Sequence, residues 1–75
     1  MVHNTPSAAL GSVVATELER AGLSLRDAAD QSGIPRTTLK RRLEFGGFTV
    51  PDLERLAALL DTTVSSLVAK AEEAA

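Results

Sequence analysis

The sequence predicts an all-α domain, a compact bundle of five helices. Three observations lead there. Apolar residues recur at three- and four-residue intervals, the period of a helix face. Ser, Thr, Gly and Pro divide those stripes into five segments, at positions where helices start and stop. No segment shows the apolar–polar alternation of a half-buried strand. Seventy-five residues suffice for one domain over 1–75, with a core small enough that each apolar position counts.

The elements follow in order. Residues 1–6, with Pro6 and the lone His3, read as a flexible lead-in. From Ser7, the residues Leu10, Val13, Val14, Leu18 and Ala21 form the stripe of a first helix, and Gly22 stands where a left-handed stop is expected. Ser24 is the expected N-cap of a second helix, with Asp27 three residues on; Leu25, Ala28 and Ala29 form its inward face. Gly33 ends it, Ile34 makes a buried hinge, and Pro35 suits the first turn of a third helix anchored by Leu39 and Leu43. Phe45 to Phe48 read as a glycine loop tethered by its two phenylalanines. Thr49 caps a fourth helix, with Pro51 in its first turn and a stripe of Leu53, Leu56, Ala57 and Leu60. Thr63 caps a fifth, carrying Val64, Leu67, Val68 and Ala71, and residues 72–75 are expected to fray.

Composition narrows the function. With no cysteine, disulfides, cysteine-type zinc sites and thiol nucleophiles are excluded. No apolar run approaches the roughly 20 residues that span a bilayer, and Met1–Ser7 lacks the pattern of a signal peptide. A cytoplasmic protein is expected. The net charge of −2 hides an uneven distribution. Residues 25–50 carry Arg26, Arg36, Lys40, Arg41 and Arg42 against Asp27, Asp30 and Glu44, a net of +2, whereas residues 51–75 carry a net of −3. Four of the eight basic residues lie between Arg36 and Arg42. Screening confines surface fields to about 8 Å at physiological salt, so a basic ridge on an acidic body can still hold phosphate.

The most informative stretch is Leu25-Arg-Asp-Ala-Ala-Asp-Gln-Ser-Gly33-Ile-Pro-Arg-Thr-Thr-Leu39-Lys-Arg-Arg-Leu43. A short helix with a small residue at Ala29 leads through a glycine turn into a helix held by Ile34 and Leu39. Ala29 is small because the two helices cross closely at a steep angle. This segment resembles the helix-turn-helix of phage-repressor-like (lambda-repressor-like) and Cro-like transcriptional regulators. The run from Phe48 to Leu67 is similar to the fourth and fifth helices of that family, so the resemblance covers roughly residues 8–70. Two positions depart from the pattern: Ser32 stands where an aliphatic residue is usual, and Arg42 where a second buried aliphatic is usual, its anchoring role passing to Leu43. The run from Gly33 to Leu43 is as close to invertase and resolvase DNA-binding modules.

The resemblance implies a third helix that lies in a major groove about 12 Å wide. Position by position, base contacts fall on Arg36, Thr37, Lys40 and Arg41, and backbone contacts on Ser24, Arg26, Thr38 and Arg42. Arg36 or Arg41 can offer paired donors to guanine, and Thr37 can reach a base or a thymine methyl. The implied partner is double-stranded DNA with a palindromic operator, bound by a homodimer or by a monomer that pairs only on DNA. The implied setting is the nucleoid of a bacterial host cell.

Catalysis has little to rest on. His3 is the only histidine, Ser66 and Lys70 share a helix face without a partner, and Gly46-Gly47 is not a phosphate loop. No enzyme activity, metal or cofactor is expected. The expected function is a sequence-specific repressor of phage or prophage type that acts by promoter occupancy. Its alternatives are a recombination accessory factor, an autoregulatory antitoxin, or, from another class, a helical protein-interaction module.

Overall fold

Five helices follow one another in a computed structural model that describes residues 6–74, with side chains from Ala9 to Glu73. They are α1 (Pro6–Arg20), α2 (Leu25–Ser32), α3 (Arg36–Phe45), α4 (Val50–Leu59) and α5 (Val64–Ala74). The fold is all-α, as expected. Pro6, expected in the lead-in, instead opens α1, and the rest of that lead-in, residues 1–5 with His3, lies outside the described residues. No described helix is long and apolar enough to cross a membrane.

The caps fall where the side chains dictate. Ser24 Oγ accepts the Asp27 N–H at 3.0 Å while the Asp27 carboxylate accepts the Ser24 N–H at 3.3 Å, a reciprocal capping box that satisfies two otherwise free donors. Thr49 Oγ1 accepts from the Asp52 N–H at 3.2 Å, and Thr63 Oγ1 from the Ser66 N–H at 3.1 Å. α1 closes in a Schellman motif: the Leu23 N–H reaches back to the Leu18 carbonyl, the Gly22 N–H to Glu19, and Gly22 supplies the φ of +74°. α4 closes through the same pair of bonds, but there the left-handed residue is Asp61, at φ +56°.

The helices form a ring around one core. α1 packs against α3 and α5, α2 against α3 and α4, and α4 against α5. Each contributes a fully buried residue: Val14, Ala28, Leu39, Leu56 and Leu67. Leu23, Leu25, Leu43 and Phe48 pack against that cluster half-buried. At the α1–α3 crossing the backbones come together at Gly11, which faces the carbonyls of Arg42 and Leu43. α1 and α5 are also joined by Lys70 Nζ to Glu17 at 3.2 Å, a pair exposed enough to contribute only about 0–1 kcal/mol.

Several details differ from expectation. Ala21 is exposed rather than part of the α1 stripe, because α1 ends at Arg20 and the chain turns out through Gly22. Pro35 stands at the N-cap position just before α3, not in its first turn. Phe45 closes α3 and is 71% exposed, so it tethers nothing; only Phe48 returns to the core. α5 continues through Glu72 and Glu73 to Ala74, since Ala71, buried in the core, holds its last turn in place. Of the α5 stripe, Leu67 and Ala71 are thus interior and Val64 packs on the core.

Candidate functional site

The site is built on the junction of α2 and α3. Gly33 takes φ +78° and its N–H bonds to the Ala29 carbonyl, ending α2 with a single left-handed residue. That leaves the next amide, on buried Ile34, without a helical acceptor. Ser32 supplies one: its buried hydroxyl accepts from the Ile34 N–H at 3.2 Å and lies 3.5 Å from the Ala29 carbonyl. The buried hydroxyl of Ser32 thus has a role at this turn. Ile34 then seats the turn, and fully buried Leu39 seats α3.

With Leu39 fixed inward, the outward face of α3 is determined. Successive helical residues lie about 100° apart. Around half the circumference run Arg36, Lys40, Glu44, Thr37, Arg41 and Phe45, in that order, and all six are exposed. Thr38 and Arg42 follow beyond Phe45 on one side of this arc, half-buried. Among the described residues the ion pairs join Glu17 to Arg20 and to Lys70, so none of Arg36, Lys40 and Arg41 is engaged by a carboxylate. Arg36, Lys40 and Arg41 therefore face solvent on this arc without a carboxylate beside them.

Two hollows border the arc. The larger, about 660 Å³, lies along the turn and is lined by Arg26, Ala29, Asp30, Gly33, Ile34, Pro35 and Arg36. It brings Arg26 of α2 beside Arg36 at the start of α3. Pro35 offers no side-chain cap, so the first-turn amides of α3 lack the hydroxyl acceptor that α2, α4 and α5 each have. Free N–H groups at a helix start, flanked by arginines, favour an anion. The smaller hollow, about 180 Å³, is lined by Thr37, Thr38, Arg41 and Arg42.

Seven of the eight residues singled out from the sequence thus lie on or beside one face: Arg26, Arg36, Thr37, Thr38, Lys40, Arg41 and Arg42. Ser24 differs. Its hydroxyl is taken up in the α2 capping box, and it lines a separate hollow with Leu18, Leu23 and Leu43. Arg42 is turned partly inward: its Nε is buried without a hydrogen-bond partner, and Nη1 lies 3.8 Å from where a β-carbon on Gly47 would stand. Glu44 and Phe45 also belong to the exposed arc and escaped the sequence reading. Glu44 sits eight residues after Arg36 and seven after Thr37, a helical spacing that could have placed it there.

No protein-family model matches this chain, and no curated protein matches it. Its functional reading rests on this face and on the turn that aims it.

Proposed function

We propose that this chain binds duplex DNA sequence-specifically and regulates transcription, as a repressor of phage or prophage type that covers a promoter. One observation carries the reading. The outward arc of α3 holds Arg36, Thr37, Lys40 and Arg41 exposed, with no ion pair to them among the described residues, on a helix seated by buried Ile34 and Leu39.

In this reading α3 enters the major groove N-terminus first. Arg36 and Arg41 offer paired N–H donors to guanine O6 and N7, and Thr37 reaches a base edge beside them. The uncapped start of α3, with Arg26 alongside, meets a phosphate and fixes the register without reading sequence. The acidic residues of α4 and α5 keep the rest of the body off the polyanion, which favours selective contact over coating. Two copies on a palindrome would place their α3 helices about 34 Å apart.

The test is selection of duplexes from a random-sequence pool by the purified chain, followed by titration of the enriched duplex at several salt concentrations. A single enriched motif is expected, with log affinity falling linearly with log salt. The slope should be modest on a half-site and roughly double on the full palindrome. Tight binding with no enriched sequence would replace the regulator reading with an architectural one. No salt-dependent binding at all would leave a protein-interaction module.

A further inference from the structure

We infer that Phe45 extends the DNA-contacting face and reads the methyl group of a thymine, which makes it a specificity-determining residue in the third turn of α3. The inference rests on the DNA-binding reading above. Phe45 is 71% exposed, while the other phenylalanine, Phe48, packs on the core. It stands four residues after Arg41 and eight after Thr37, so it continues the edge of the arc that those two residues form. From Arg36 to Phe45 the helix advances only about 14 Å, roughly two and a half turns of one continuous face.

The chemistry of the neighbours selects what the ring meets. Exposed Glu44 lies on the same turn, and its carboxylate disfavours contact with phosphate, so the third turn is not suited to the sugar–phosphate backbone. On the base edges a carboxylate has a use, since it can accept from the amino group of cytosine. The apolar group on those edges is the thymine methyl. A phenyl ring next to Arg41 fits that methyl, and burying the pair removes apolar surface that is otherwise left in water.

The experiment compares the wild-type chain with Phe45→Ala on a duplex selected by the wild type, and on the same duplex with uracil replacing thymine one position at a time. Melting temperature and sedimentation are measured on both proteins. Because the ring is exposed, Phe45→Ala should melt with the wild type. At one position the wild type should bind uracil roughly four- to tenfold more weakly than thymine, the loss expected for one buried methyl group. Phe45→Ala should bind the two duplexes equally, and the thymine duplex more weakly than the wild type by the same factor. Equal thymine preference in the two proteins overturns the inference. So does an affinity loss accompanied by a shift from dimer to monomer with thymine preference intact, which would place Phe45 between two copies of the chain. Failure of the wild type to enrich any duplex overturns the DNA-binding reading itself, and is distinguished by arising before any variant is made.

Discussion

A β-carbon at Gly11 would lie 2.5 Å from the carbonyl oxygen of Leu43 and 2.9 Å from that of Arg42. The mid-helix glycine of α1 therefore sets how closely α1 approaches the last turn of α3. A glycine inside a helix ordinarily costs about 0.5–1 kcal/mol relative to alanine. At this crossing the gain is reversed, because the atoms that must move are backbone. Gly11→Ala should destabilise the chain by about 1–3 kcal/mol, the usual range for overpacking. Thermal unfolding checks the sign: a raised melting temperature would show that the helices separate freely.

Ser32→Ala removes the acceptor of the Ile34 N–H while leaving the backbone in place. A buried amide left unpaired costs about 1–3 kcal/mol, and the loss should appear in chemical denaturation. Amide exchange at Ile34 should accelerate beyond what the global loss explains. Unchanged stability would mean that the amide finds another acceptor.

Asp61 adopts φ +56° at the end of α4, where the other positive-φ positions among the described residues are all glycines. Asp61→Gly should relieve that strain and stabilise by about 0.5–1 kcal/mol. DNA binding should not change, because the α4–α5 turn lies off the α3 arc. A lowered melting temperature would show that the aspartate side chain stabilises the turn.

Arg36→Ala and Arg41→Ala should each weaken binding to a selected duplex by about 1–3 kcal/mol and relax preference at one base pair. Arg26→Ala, at a phosphate contact, should weaken binding to all sequences alike and lower the salt slope by about one. All three side chains are exposed, so the melting temperature should hold. Wild-type affinity in all three variants would move the interface off this face.

Much of the fold follows from local chemistry and could be seen in the sequence. Ser24, Thr49 and Thr63 cap helices because a short hydroxyl side chain satisfies a free amide two or three residues on, whatever the rest of the chain does. Gly22 and Gly33 stop helices because they adopt positive φ at no steric cost. The leucine and valine stripes fix which side of each helix turns inward, and the cluster from Arg36 to Arg42 marks α3 as the charged element.

What depends on other helices could not be read that way. Whether Gly11 is a weak point of α1 or a close crossing is decided by Arg42 and Leu43 of α3, which lie 31 and 32 residues further along the chain. The task of Ser32 is set by an Ile34 amide that becomes buried only when the bundle closes around it. Phe45 and Phe48 are the same residue three positions apart, yet one turns to solvent and the other to the core. Five helices, their caps and the polarity of their faces are local properties, set by neighbours a few residues apart. Which residues complete the exposed arc of α3 is set by the packed bundle, because burial depends on what the other helices cover.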